Sequence, residues 1–404
     1  MLFHRFVRRV LPAAAVVALL PVLAAAQTTT TTTSTGLSPR QVLIKLTSAA
    51  GAGSGVSNIG EAIADLVGLE VSTAPIGSSA GGFTFVFDPA TRSFTRAASS
   101  FGPMFGDRAI TAGEGRAGLG VNFIHATYDA LDGIAIDDGS LRTIVFHGGS
   151  SAPIGTAALT ITSDTVVTFA NLALNRWFDA SVAAPWVTLR VQGTHAISGQ
   201  EAIGSATAQG LGDVAVRGKL RVYQQGQGGV ALGVDLRLPT GDPEAMLGAG
   251  VTRTLVSGIW SGTVGPLAPH ASFGYEFWSD PFRAFDPLQQ APIDAGKNGT
   301  MLQGGVEWAA TSRVTVNGEF MRRTIRNGAR LTYKDVPLPA NAFGLTSASI
   351  ASIDPRGLDR ASVAAGVKWN MAGTALLTAN VLMPITDAGL IDHLTPIVGL
   401  DWGF

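Results

Sequence analysis

The sequence predicts an all-β fold: a closed antiparallel transmembrane β-barrel of about 12 strands, preceded by a short N-terminal periplasmic or plug segment. Three observations carry this. Apolar and polar residues alternate in stretches that recur from Arg116 to the end of the chain. The connections between these stretches are short and long by turns. The last residue, Phe404, is an aromatic that closes such a stretch.

Composition narrows the class. Of 404 residues, 46% are hydrophobic and 14% charged, with 50 Gly, no Cys and a formal charge of −1. Soluble domains carry roughly 25% charged residues and about 7% Gly. A balance this close to neutral, with no basic stripe, argues against nucleic acid as a partner. Without Cys the chain has neither a lipoprotein anchor nor a disulfide framework.

Residues 1–26 read as a cleaved signal peptide. His4, Arg5, Arg8 and Arg9 form a basic start, Val10 to Leu23 an apolar core, and Ala24, Ala25 and Ala26 a cleavage site. The apolar core is shorter than the about 20 residues of a spanning helix, and no later run is long enough for one. Residues 27–115 follow as a low-complexity leader (Thr28 to Thr33) and a candidate plug. Within them, 60–71 reads as a short amphipathic helix, and 81–97 as a small hairpin turning at Asp88, Pro89 and Ala90. If that hairpin joins the wall, the count rises from about 12 to about 14, because bacterial barrels are usually even.

The barrel proper spans 116–404. Strands fall near 117–129, 159–174, 176–191, 211–223, 229–239, 248–260, 266–279, 299–310, 312–326, 358–370, 373–385 and 393–404. In "RVTVNGEFMRR" (313–323), Val314, Val316, Gly318 and Phe320 share one face, and Arg313, Thr315, Asn317, Glu319, Met321 and Arg323 share the other. "DVAVRGKLRVY" (213–223) repeats the pattern, with Val214, Val216, Gly218, Leu220 and Val222 opposite Asp213, Arg217, Lys219, Arg221 and Tyr223.

The connections test this independently. With Phe404 at the periplasmic rim, turns near 371–372, 311, 261–265, 224–228 and 175 face the periplasm. Connections 386–392, 327–357, 280–298, 240–247, 192–210 and 130–158 face outward. Short periplasmic turns and long external loops are the asymmetry of outer-membrane barrels. Trp177, Trp260, Trp308, Trp369 and Trp402 then fall at periplasmic strand ends and Trp278 at an external end, as an aromatic girdle. Trp402 and Phe404 lie on the apolar face of the last strand. That ending resembles the C-terminal signal by which barrel-assembly machinery recognises its clients.

A search for chemistry finds little. The six His residues are scattered, without zinc spacing. "FHGGSS" (146–151) has no GxSxG elbow to serve, and "GAGSG" (51–55) lacks the Lys-Ser/Thr of a phosphate loop. No enzyme activity, metal or cofactor is implied. The charges on the polar strand faces say more. Arg217, Lys219, Arg221, Asp235, Arg237, Glu307, Glu319, Arg323, Arg360 and Lys368 are pore-lining candidates. Facing lipid at mid-depth, an Arg or Lys would cost roughly 2–4 kcal/mol, so they must point inward. If the hairpin turns near Gly226, Arg217 lies opposite Asp235. A wet lumen and a salt-bridged core without passage both accommodate these charges. About 12 strands enclose more space than side chains readily fill, which favours the pore.

"GLGDVAVRGKLRVY" (210–223) and "GVDLRLPTGD" (233–242) resemble the Gly-Leu-Gly-Asp strand and Leu-Pro-Thr-Gly-Asp loop entry of the outer-membrane proteins associated with phenol-degradation (meta-cleavage) pathways. "LNRWFDASVAAPWV" (174–187) is similar to that family's preceding hairpin. It departs from it in having Asn175-Arg176 for Asp-Arg, and Ala183-Ala184-Pro185 for Ala-Val-Pro. The resemblance covers roughly 160–404. It implies a passive transporter of aromatic or other hydrophobic small molecules, distantly akin to fatty-acid channels. The expectation is therefore an outer-membrane diffusion channel whose partners are membrane lipids, the assembly machinery and a small solute. The alternatives are a non-conducting structural or adhesive barrel, a soluble secreted β protein, and a barrel lipid hydrolase.

Overall fold

The computed structural model describes residues 37–47, 59–78, 82–88, 93–96, 98–148, 154–197, 200–339 and 344–404. The signal peptide, the Thr-rich leader and the turn of the 81–97 hairpin lie outside the described residues.

Twelve antiparallel strands form the wall: β1 (Ala117–Tyr128), β2 (Ile154–Ala173), β3 (Phe178–Ile197), β4 (Val214–Gln225), β5 (Gly228–Leu238), β6 (Arg253–Ser261), β7 (Leu267–Trp278), β8 (Gly299–Ala309), β9 (Val314–Ile325), β10 (Leu358–Ala372), β11 (Ala375–Pro384) and β12 (Thr395–Gly403). Each pairs with its neighbour in sequence, and β12 returns to β1, from Ile397 opposite Ile124 to Gly403 opposite Gly118. The Phe404 amide donates to the Ala117 carbonyl at 2.8 Å, which carries the seam to the last residue. A closed sheet is required because hydrocarbon offers no partner to an open edge.

At the inner end, where β1 begins and β12 finishes, the connections are 174–177, 226–227, 262–266, 310–313 and 373–374. At the outer end they are 129–153, 198–213, 239–252, 279–298, 326–357 and 385–394. The two tightest inner turns place Gly226 at φ +58° and Gly373 at φ +56°. Two-residue hairpin turns need this left-handed conformation, and glycine adopts it without cost.

The outer connections are more ordered than plain loops. β2 and β3 overshoot the barrel and recruit new neighbours. Leu141–Gly148 pairs with the upper part of β2, and Leu345–Asp354 and Arg330–Pro337 continue outward from it. Gln200–Leu211 takes the place of β4 beside the upper part of β3. Phe282–Asp286 and Ala291–Gly296 form a separate hairpin. These are antiparallel hairpins built on strands already in register, so they extend the sheet at little extra ordering cost. The Phe85–Asp88 and Ser93–Arg96 hairpin is a sheet of its own, so the wall has 12 strands and not 14.

The period of two sorts the wall. Val216, Leu220, Val222, Leu232, Val256, Phe273, Leu302, Val367 and Val398 stand exposed on the outside as an apolar belt. Toward the outer end the belt gives way to charge, with His125 Nδ1 2.6 Å from Asp164 and Arg322 Nε donating to Asp359 at 2.8 Å. This is the surface of an outer-membrane barrel. No helix among the described residues is long and apolar enough to cross a membrane. Trp177, Trp260, Trp308, Trp369 and Trp402 are exposed at inner-end positions. Trp278 is not part of any girdle. It is 6% exposed, and its Nε1 donates to Glu276 Oε2 at 2.8 Å. The even positions of β7 face the lumen, and position 278 obeys that parity although it ends a strand.

Two helices fill the outer mouth from inside. α1 (Pro39–Thr47) opens on a capping box, in which the Gln41 amide donates to Ser38 Oγ and the Ser38 amide to Gln41 Oε1, with Pro39 in the first turn. α2 (Ile59–Thr73) covers the segment read as an amphipathic helix. Val42, Leu46, Ile63 and Val67 pack with Leu159, Leu189 and Leu358 of the wall in one buried apolar cluster. Asp65 ties the helices to the mouth, 2.7 Å from Arg40 and accepting from the Phe285 amide at 2.8 Å. Burial pushes its carboxyl up from the ordinary Asp value, with Arg40 opposing.

Deleting Phe404 removes the terminal rung of the seam. The membrane-inserted yield should fall severalfold, while the melting temperature of the inserted fraction changes little. Heat-modifiable gel mobility reads both, and unchanged insertion would refute the assembly role.

Candidate functional site in the barrel lumen

The same parity that turns Val216, Leu220 and Val222 outward turns Arg217, Lys219 and Arg221 inward. All ten predicted charges lie on the luminal side of their strands. They do not surround an empty bore. Residues 59–78 and 98–112 run through the lumen, and most of these charges hold that backbone.

The lower layer lies near the inner end. Glu319 accepts hydrogen bonds from three successive amides: Met104 at 2.5 Å, Phe105 at 3.0 Å and Gly106 at 2.7 Å. Lys368 Nζ donates to the Pro103 carbonyl at 2.8 Å, and Lys219 Nζ to the carbonyls of Arg108 and Ile110, both at 3.0 Å. Arg108 pairs with Glu307 and also reaches Ser100. The Phe101, Ala109 and Ala112 amides donate to Thr315, Ser261 and Asp179 of the wall. An irregular segment has no ladder of its own, so its amides and carbonyls need side-chain partners once buried. Carboxylates take the amides and ammonium groups the carbonyls. His270, 3% exposed, lies between Glu307 (3.5 Å) and Glu319 (3.9 Å). A Cβ at Gly106 would lie 2.8 Å from the His270 ring, which explains glycine at that point of closest approach.

The upper layer receives the C-terminal end of α2. Arg253 Nη2 donates to the Ser72 carbonyl at 2.6 Å and Arg323 Nη1 to the Thr73 carbonyl at 3.0 Å. Arg360 pairs with Glu70. Terminal helix carbonyls lack intrahelical donors and carry the negative end of the dipole, so three arginines here fit the charge. Arg323 also binds Glu276 at 2.5 Å. Arg217 bridges Asp235 at 2.6 Å and the Gly77 carbonyl at 2.9 Å.

The paired motifs singled out in the sequence form one clamp. Asp213 accepts from the amides of Gly241 (3.2 Å) and Ala249 (3.1 Å), and Arg253 lies 3.4 Å away. Thr240 Oγ1 donates to the Gly212 carbonyl at 2.6 Å and accepts from the Val214 amide at 3.0 Å. Gly210–Asp213 and Leu238–Asp242 thus hold the 239–250 loop folded over the end of β4.

Between the two layers lies a chamber of ≈ 230 Å³. Arg217, Asp235, Arg237, Glu276, Arg323 and Arg360 line it, together with the apolar Ile124, Met301, Met321, Leu382 and Ile397. Of the predicted residues, Lys219, Glu307, Glu319 and Lys368 are spent on the lower segment. Arg221 sits at the inner rim, 5.1 Å from the Trp177 ring. Sequence reading missed Arg108, Arg253, His270 and Glu276. The last three obey the inward parity of β6 and β7, so the same period of two marks them.

The sequence family described as "Putative MetA-pathway of phenol degradation" matches residues 137–287, a span that contains both halves of the Asp213 clamp. No curated protein matches the chain. Among solved structures it is similar to an outer membrane channel from Pseudomonas putida F1 (11% identity, 72% of this chain and 95% of the other, TM-score 0.43). Others are the transport unit of the Escherichia coli autotransporter AIDA-I (11%, 71% and 90%, 0.37) and the Ralstonia pickettii toluene transporter TbuX (10%, 72% and 90%, 0.35).

Two substitutions separate the layers. Glu319→Ala leaves three buried amides without an acceptor, at about 1–3 kcal/mol for each group stranded. Residues 101–110 should then exchange amide hydrogen at least tenfold faster while the barrel stays heat-modifiable. Asp213→Ala removes the carboxylate beside Arg253 and frees the 239–250 loop. Removing one partner of a buried ion pair costs roughly 3–5 kcal/mol, which a lowered thermal midpoint would report.

Proposed function

We propose that the protein is an outer-membrane channel for passive diffusion of small solutes, with residues 59–112 as its luminal plug. The observation that carries this is the chamber enclosed inside the wall between two layers of luminal backbone. Hydrogen bonds and ion pairs hold those layers, and no covalent link among the described residues does. Contacts of this kind can be exchanged for water one by one, so the segment can yield without unfolding the wall.

The solute class follows from the chamber walls and from the family description, which names phenol degradation. A dry cavity of about 150 Å³ admits benzene, so ≈ 230 Å³ admits a substituted aromatic. The chemistry is passage without covalent change, and no cofactor or metal takes part. The apolar belt meets membrane lipid, and the Trp402–Phe404 ending meets the assembly machinery. A second reading, a structural barrel that displays its rim, draws on the sheet that Leu141–Gly148, Leu345–Asp354 and Arg330–Pro337 build above the mouth.

Planar-bilayer recording separates the two. The full chain should show small, intermittent conductance, and a variant lacking residues 37–112 conductance several times larger. If neither conducts, and neither speeds solute entry into liposomes, the channel reading fails and the structural one stands.

A further inference from the structure

Among the arginines of the upper layer, one stands apart. Arg237 on β5 and Arg253 on β6 are direct cross-strand neighbours, both pointing into the lumen. Like charges directly opposed on a sheet repel, and Arg237 is also within electrostatic reach of Arg217 and Arg323. Three carboxylates serve these four guanidinium groups. Asp235 is engaged by Arg217, Glu276 by Arg323, and Asp213 by Arg253 together with two backbone amides.

Arg237 is left with a share of Asp235, its Nε 3.5 Å from the oxygen that Arg217 does not take. Its guanidinium donates no hydrogen bond among the described residues, although the side chain is only 14% exposed. Next to it, Nε and Nη1 of the fully buried Arg253 also lack hydrogen-bond partners among the described residues. Four further carboxylates line the chamber, and local donors engage each: Arg360 for Glu70, Ser78 for Asp107, Lys219 with the Ala112 amide for Asp179, and Thr395 with the Leu394 amide for Asp392. A guanidinium largely withdrawn from water and left without an acceptor is costly, and a carboxylate is the partner its two-pronged geometry fits. The chamber that Arg237 lines is walled elsewhere by Ile124, Met301, Met321 and Leu382.

We propose that the chamber is a binding site for a small organic monoanion, an aromatic or short-chain carboxylate. Its carboxylate sits on Arg237 beside Arg253, and its apolar body lies against the Ile124–Met301–Met321–Leu382 wall. This deepens the channel reading by naming a charge for the solute, and it rests on that reading only for its biological use.

The test is calorimetric titration of the detergent-solubilised full-length protein with benzoate and with its neutral analogue benzyl alcohol. Benzoate should bind at least tenfold more tightly than benzyl alcohol. Arg237→Gln should abolish that preference and Arg237→Lys, which keeps the charge and loses the two-pronged geometry, retain part of it, with heat-modifiable mobility confirming that each variant is a closed barrel. Benzoate binding no tighter than benzyl alcohol, or undiminished in a folded Arg237→Gln barrel, overturns the site. If neutral aromatics cross liposomes while benzoate fails to bind, the anion site falls and the channel stands. If benzoate binds through Arg237 and no solute crosses, the site stands and the channel reading falls.

Discussion

The structure depends on one constraint: no backbone amide or carbonyl can be left unpaired in hydrocarbon. That constraint closes the sheet, and the seam between β12 and β1 runs to the Phe404 amide on Ala117. Closure then creates a second demand. A barrel of 12 strands has an interior wider than its own side chains fill, and whatever enters it brings backbone that must also be satisfied. Glu319 under three amides, and Lys219 and Lys368 over three carbonyls, meet this second demand.

The sign of each luminal charge follows from what it faces. Where the entering chain is helical, its terminal carbonyls face Arg253 and Arg323. Where it is irregular, amides face carboxylates and carbonyls face ammonium groups. The wall thus reads the direction of the enclosed backbone. At the outer mouth apolar packing takes over, because α1 and α2 satisfy their own amides and present Val42, Leu46, Ile63 and Val67 to the wall. The interior grades from an apolar stopper through a half-polar chamber to a hydrogen-bonded lower layer.

Much of this was legible in the chain. All twelve strands appear where alternation places them, because a strand's two faces meet different surroundings and its residues record that every second position. Alternation also turned each charged candidate inward, and the same rule, applied to Arg253, His270 and Glu276, would have found those too. Trp278 shows where a local rule misleads: an indole at a strand end suggests a girdle, yet its parity points it at Glu276. α1 was overlooked although Ser38-Pro39-Arg40-Gln41 carries a capping signature, because a nine-residue helix beside a Thr-rich run offers few apolar turns to count. The long outer connections hid their strands because β2 and β3, not the connections, supply the register.

By itself, then, the sequence determined where the chain crosses the membrane, which residues face the lumen, and which end carries the short turns. Each of these rests on residues a few positions apart. Only the tertiary structure decided what the inward charges do. Glu319 meets Gly106 across 213 positions, and Arg323 meets Thr73 across 250. No period in the chain encodes such a pairing. It exists because closure brings those residues into one buried space, where a buried charge must find an opposite charge or dipole. Arg237, alone among them in facing the chamber without a hydrogen bond among the described residues, is visible only once the others have found theirs.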